Sequence, residues 1–209
     1  MKGSTGNPKG VVLTHKNFMA AVSSVLTILD DNILREADVH RYLAYLPLAH
    51  SLEFVGETFM FAAGVRMGYG TTFTLVDSGT AIRRGDKGDI SLLKPTVMPA
   101  VPLILDRIRK TIFEVVEKKG PFAKELFNFA INYKSYWDRS GYRTPIVNKM
   151  FCKSLRKQVG GELRFMLVGG APLSPDTQKI MQSALNIKLL QVWIECYVVY
   201  MSDSFSKLI

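Results

Sequence analysis

Between residues 163 and 176 the chain passes from an apolar run, through Gly169, Gly170, Ala171 and Pro172, into Ser174, Pro175 and Asp176. Residues 163–168 have the length and character of a buried strand. Ser174 at N-cap with Pro175 one position later marks the start of a helix. A strand that feeds a helix through so short a turn is half of a βαβ unit. That unit restricts the fold to a largely parallel sheet with helices on its faces.

The same grammar recurs along the chain. Thr14 is a good N-cap, and Phe18, Ala21, Val22, Val25, Leu26 and Leu29 follow at helical spacing until Asp30, Asp31 and Asn32. Residues 41–46 read as a short buried strand that must leave regular structure at Pro47. A helix is expected over 51–63, with Leu52, Val55, Phe59 and Ala63 on one face and Gly64 as its stop. Strands are expected at 65–69 and 71–76, then a loop over 77–89. Pro95 and Pro99 limit the segment between them to a short strand at most.

From 102 to 119 a charged amphipathic helix would bury Leu105, Ile108, Ile112 and Val115 or Val116. Gly120 and Pro121 break it. A helix over 122–138 would place Leu126, Phe129, Ala130, Tyr133 and Trp137 on one side, a spacing read as core. A third helix spans 145–158 and ends at Gly160 and Gly161. The reading is therefore α/β, and ligands of such sheets sit beyond the carboxyl ends of the strands. The turns at 3–10, 47–50 and 169–172 qualify by position.

The turn at 3–10 has its own chemistry. Gly3, Gly6 and Gly10 let backbone N–H groups approach a ligand, Ser4 and Thr5 add hydroxyl donors and Lys9 supplies a point charge. That set suits a polyphosphate. It is not a Walker loop, because counting from Gly3 the second glycine of that pattern would fall on Pro8.

Composition removes several other classes. The chain has 209 residues, enough for one domain or two, and a hydrophobic fraction of 47% supports a sizeable core. The net charge of +9 raises nucleic acid as a partner. The cations are spread through helical segments such as 106–119 and 153–157, which reads as solvated helix faces and argues against nucleic acid. Two distant cysteines, Cys152 and Cys196, and three isolated histidines give neither a disulfide framework nor zinc-ligand spacing. No apolar run reaches the length of a membrane-spanning helix.

Three segments together carry a family resemblance. Residues 3–10, followed by Val11, Val12, Leu13, Thr14 and His15, resemble the signature loop of the adenylate-forming (AMP-binding) enzymes. Tyr45, Leu46, Pro47, Leu48, Ala49 and His50 resemble that superfamily's second patch. Residues 167–174 resemble its adenine-binding turn. Lys87, Gly88 and Asp89, then Leu93 to Thr96 and Ala100 to Pro102, are similar to the long-chain acyl-CoA synthetases of animals. The helices at 103–158 fit the same subgroup.

The resemblance implies part of the large N-terminal domain of an adenylate-forming enzyme, over residues 1–191, with a divergent tail at 192–209. It implies a fatty acid–CoA ligase that uses ATP, Mg²⁺ and coenzyme A in two steps. Gly3, Ser4, Thr5, Gly6, Pro8, Lys9 and Gly10 would hold the β- and γ-phosphates. His50 would stand near the acyl carboxylate and the α-phosphate. Gly169, Gly170, Ala171 and Pro172 would form a wall against adenine. Phe54 would line the mouth of an acyl tunnel or serve as a core aromatic. Alternatives are a ligase for another carboxylic acid, or a non-catalytic fragment that binds a nucleotide or a partner.

The ends depart from the family pattern. Met1 and Lys2 stand where relatives carry several hundred residues. After Gln191 the expected Gly-Tyr-Gly segment, with its acidic Mg²⁺ ligand, is replaced by Val192, Trp193, Ile194, Glu195, Cys196 and Tyr197. Glu195 is not assigned to the metal, because its neighbours do not match. These departures suggest a truncated transcript or a gene-model fragment, inactive alone. Relatives imply the cytosolic face of the endoplasmic reticulum or other membranes, reached through segments upstream of the phosphate loop.

Overall fold

A computed structural model describes residues 13–33, 38–77, 79–118, 120–142, 144–169, 173–194 and 199–202. Its centre is a six-stranded sheet in the order β2-β1-β3-β4-β5-β6. The strands are β1 (Arg41–Ala44), β2 (Arg66–Tyr69), β3 (Val97–Ala100), β4 (Phe165–Gly169), β5 (Lys188–Ile194) and β6 (Val199–Ser202). All neighbours pair in parallel except β5 with β6, which are antiparallel. The expected α/β class with a mostly parallel sheet is what the chain adopts.

Strand alternation splits the core into two layers. Tyr42, Ala44, Phe165 and Leu167 face the cluster formed with α1 (His15–Ile33) and α2 (Ser51–Ala62). Leu43, Tyr45, Met166 and Val168 face the other cluster, with α4 (Pro102–Glu117), α5 (Pro121–Arg139) and α8 (Pro175–Leu185). Both faces of a parallel sheet must be covered in this way. The predicted caps form. Thr14 Oγ1 accepts from Asn17 N at 3.2 Å, and Ser174 Oγ accepts from Thr177 N at 3.2 Å. In α4 the buried face is Ile104, Leu105, Ile108, Ile112 and Val116.

Three expectations are corrected or refined. Residues 71–76 form turns, with no strand among them. Thr71 and Thr74 bond each other through hydroxyl and backbone groups, and the Thr74 hydroxyl bonds Asp89 at the start of α3 (Asp89–Leu93). Such local side-chain bonds offer the backbone an alternative to a ladder. Second, the short strand allowed between Pro95 and Pro99 forms as the four-residue β3, and the structure adds that it is fully buried and lies inside the sheet. Pro99 is tolerated there because the β1–β3 pairing is confined to Tyr42 and Val97, so no ladder requires its missing N–H. Tyr45 Oη donates to the Pro99 carbonyl at 2.8 Å instead.

Third, α5 buries a different stripe from the one expected. Phe127, Ala130, Ile131, Lys134 and Ser135 are inside, while Phe129 is 67% exposed and Tyr133 46%. A lysine in the buried stripe disguises the apolar period. Lys134 Nζ donates to Asn148 Oδ1 at 2.5 Å and Asn186 Oδ1 at 2.7 Å, and lies 3.6 Å from Asp138. The outer aromatics form a ladder, Phe129 to Tyr133 to Trp137 to Tyr142, with ring centroids 5.5–6.3 Å apart.

The helix expected over 145–158 is continuous but not uniform. It comprises α6 (Pro145–Val147), a π-helical turn (Asn148–Cys152) and α7 (Lys153–Lys157).

Candidate functional site

The parallel strands β1, β3 and β4 end at one edge of the sheet, and each continues toward a helix there. β1 runs through Leu46 and Pro47 into α2. The loop closes on itself through His50 N, which donates to the Pro47 carbonyl at 2.8 Å. His50 is the N-cap of α2, and its Nδ1 accepts from Leu52 N at 3.3 Å. With Nδ1 engaged as acceptor, the ring N–H left to face outward is the one on Nε2. His50 therefore carries a hydrogen-bond donor at the carboxyl edge, beside the positive end of a helix.

The loop that holds His50 is clamped by a residue the sequence reading passed over. Glu53 lies one residue past Leu52 and is fully buried. Its Oε1 accepts from Tyr42 Oη at 2.9 Å and its Oε2 from Leu46 N at 3.1 Å. One carboxylate thus ties α2 both to β1 and to the first residue of the His50 loop. Burial raises the Glu53 carboxyl to about 7, and the two hydrogen bonds only partly oppose the rise. The Tyr42 phenol is raised by its own burial and then by the neighbouring Glu53 charge. Gly56 permits the close approach, since a Cβ there would stand 2.7 Å from Tyr42 Oη. An acid in the first turn, between the apolar Leu52 and Val55, was the available signal.

Gly169 is the last residue of β4 and is buried. Two strand spacings separate β4 from β1 in the sheet, about 10 Å. Gly169 and His50 therefore stand on the same edge, either side of β3. Gly170, Ala171 and Pro172 lie outside the described residues, as do Gly3, Ser4, Thr5, Gly6, Pro8, Lys9 and Gly10. Phe54 is 46% exposed and packs on Phe18 of α1, with centroids 4.4 Å apart. Among the described residues no group of three His, Cys, Asp or Glu side chains could hold a metal ion. Glu195 lies outside them.

The parallel sheet, with the His50-capped helix and Gly169 at its carboxyl edge, defines an α/β domain of the kind whose ligands sit at strand ends. Comparison with known proteins narrows this. The model of the family described as AMP-binding enzyme matches residues 3–194. The chain belongs to that family.

Long chain acyl-CoA synthetase 8 of Arabidopsis thaliana is 44% identical over 193 residues, covering 88% of this chain and 26% of that protein. Long-chain-fatty-acid–CoA ligase 1 of Schizosaccharomyces pombe is 36% identical over 185 residues, covering 88% and 26%. The chain thus spans about a quarter of the length of these relatives. Among solved structures, a long-chain-fatty-acid-CoA ligase of Archaeoglobus fulgidus shares the fold with a TM-score of 0.55 at 18% identity, over 98% of this chain and 33% of that one. The N-terminal domain of FACL13 from Mycobacterium tuberculosis gives a TM-score of 0.53 at 21% identity, over 92% and 36%.

Proposed function

We propose that this chain supplies part of the adenylation domain of a long-chain fatty acid–CoA ligase. The observation that carries the reading is the 44% identity to a plant long chain acyl-CoA synthetase across nearly the whole chain. The arrangement of His50 and Gly169 on one sheet edge supports it. The two curated relatives reported above are plant and fungal, so the animal subgroup rests only on the similarity at Lys87 to Pro102 and the helices at 103–158.

In the first step a fatty carboxylate oxygen attacks the α-phosphorus of ATP. An acyl–phosphate bond forms, the bond to the bridging oxygen breaks, and pyrophosphate leaves. In the second step the thiol of coenzyme A attacks the acyl carbon and AMP departs. Lys9, Ser4 and Thr5 hold the β- and γ-phosphates, with Gly3, Gly6 and Gly10 allowing close approach and Pro8 stiffening the loop. The His50 Nε2–H donates to an oxygen at the reacting centre, where charge builds. Gly169, Gly170, Ala171 and Pro172 flank the adenine. Magnesium, when bound, neutralises phosphate charge, and no residue described here is assigned to it. Localisation at the cytosolic face of the endoplasmic reticulum or another membrane is part of the same proposal. Among the described residues no helix is long and apolar enough to cross a membrane.

Binding of a palmitoyl sulfamate analogue of acyl-adenylate tests the reading. Calorimetry on the purified chain should give tighter binding than AMP, weakened by Lys9→Ala. A short aromatic acyl analogue that binds better than palmitoyl would move the substrate to another carboxylic acid. Equal binding of AMP and the palmitoyl analogue would reduce the chain to a nucleotide binder.

A further inference from the structure

A second cluster of charge lies at the opposite edge of the sheet. α7 leads into the amino end of β4, and Asn186, which ends α8, leads into the amino end of β5. Between them is a cavity of about 630 Å³ whose wall includes Asn148, Lys149, Lys153, Arg156, Lys157 and Asn186. A five-residue strand separates the two edges by on the order of 15 Å. This cavity is therefore not an extension of the His50 edge.

Three features make it a site for an anion. Four cations line it, no carboxylate does, and none of the four is held in an ion pair among the described residues. Lys134, which bonds the cavity residues Asn148 and Asn186, is by contrast compensated, 3.6 Å from Asp138.

The second feature is that the buried ammonium orients both cavity asparagines. Lys134 Nζ can only donate, so Asn148 and Asn186 must turn their Oδ1 atoms to it. Their amide N–H₂ groups are then directed away from Lys134, as donors.

The third is that Arg156 Nε is buried with no hydrogen-bond partner. A buried donor without an acceptor is costly, and its native explanation is an ion or ligand that completes it.

The local helix geometry produces this wall. Asn148 and Lys149, Cys152 and Lys153, then Arg156 and Lys157 recur every four residues and share one face. The π-helical turn, in which Lys153 N bonds Asn148 O, widens the backbone where that face begins. Lys153 and Lys157 are exposed, as the solvated-face expectation had it, and with the half-buried Arg156 they also form one side of a concavity.

We propose that this cavity binds a phosphate monoester group. Such a group presents up to two charges and three acceptor oxygens, which match guanidinium, ammonium and amide donors. The volume exceeds that of phosphate alone, so the group arrives attached to an organic moiety, either a soluble metabolite or the headgroup of a phosphomonoester lipid. The proposal does not rest on the ligase reading.

The test uses the whole chain carrying Lys9→Ala, which removes the principal charge of the loop at 3–10. Inorganic phosphate and glycerol 3-phosphate are titrated by NMR. Flotation with phosphatidylcholine vesicles, with and without phosphatidate, forms the second arm. The comparison chain adds Lys153→Gln and Arg156→Gln, with circular dichroism to verify its fold.

The expected result is binding weakened about tenfold or more by the two glutamines. Retention only on phosphatidate vesicles assigns a lipid source, and preference for glycerol 3-phosphate without retention assigns a soluble one. The proposal is overturned if a folded Lys9→Ala chain binds none of these probes, or binds them equally well after both substitutions. A Lys149→Gln, Lys157→Gln pair gives the same decision should the first pair perturb folding.

Discussion

Tyr42 Oη donates to Glu53 Oε1 at 2.9 Å, across the seam between β1 and α2. The other oxygen of the same carboxylate holds Leu46 N. Strand, loop and helix around His50 therefore share one buried acid, and its protonation affects all three.

That acid makes stability depend on pH. Folded Glu53 keeps its proton up to about pH 7, whereas an ordinary glutamate releases it near 4.5. Folding takes up a proton between those values, so this group's contribution falls as pH rises through the window. Relative to Glu53→Gln, the native chain should lose up to about 3 kcal/mol between pH 4.5 and pH 7 and change little above it. Urea denaturation of both chains at pH 5 and pH 8 measures the difference. A native chain that gains stability over that interval relative to the glutamine variant contradicts the assignment.

Truncation of the same residue should be worse than neutralisation. Glu53→Ala leaves the buried Tyr42 hydroxyl and the Leu46 N–H without their acceptor. The expected loss is about 2–4 kcal/mol at pH 7. Near-native stability of the alanine chain would mean that the clamp contributes nothing.

Gly56→Ala probes the packing that the clamp requires. The added methyl meets Tyr42 Oη at 2.7 Å, inside van der Waals contact. A destabilisation of about 1–3 kcal/mol is expected. Gly56→Ala combined with Tyr42→Phe should recover part of it, because the clashing atom is gone. An uncoupled double mutant cycle would place the strain elsewhere.

His50 carries two roles that substitution can separate. His50→Ala should cost about 0.5–2 kcal/mol through the lost cap, whereas asparagine is itself a good N-cap and should nearly restore stability. Both variants lack the Nε2–H donor and should bind the palmitoyl sulfamate analogue more weakly. If asparagine restores ligand binding along with stability, His50 is a cap and no more.

Lys134→Ala should be among the most damaging single changes, at about 3–5 kcal/mol. It removes a buried ammonium and leaves Asn148, Asn186 and Asp138 without their common partner. Lys134→Met, which keeps the volume, should cost less. Guanidinium melts of the two variants decide whether packing or charge dominates.

The sequence made the sheet order of events readable and left its partners hidden. Strand-then-glycine turns and the caps at Thr14 and Ser174 are local signals, and local physics produced them. The short strand at Val97–Ala100 was legible from its flanking prolines, but its place inside the sheet was not, because that place depends on the gap in its pairing with β1. The face of α5 was misjudged because Lys134 is charged in sequence yet satisfied in space by Asn148 and Asn186, 14 and 52 residues away. Glu53 was passed over for the same reason, since its value lies in Tyr42 and Leu46. That His50 and Gly169 share an edge was legible, because parallel strands must bring their carboxyl ends to one side.

Pro99 has a mechanical consequence. Most sheets move as plates because every seam is a ladder. Here β1 and β3 share a single paired position at Tyr42 and Val97. On one side of it Arg41 and Thr96 exchange backbone and hydroxyl bonds. On the other, only the Tyr45 hydroxyl reaches the Pro99 carbonyl. The plank carrying His50 and the plank carrying Gly169 thus meet at a joint that is pinned at its base and latched by one phenol at its top. Between those two points side-chain packing replaces the ladder, since Tyr42, Ala44 and Val55 share one core cluster with Val97, Phe165 and Leu167, so the spacing of the two planks at the carboxyl edge is set by the volumes of those side chains more than by backbone bonds.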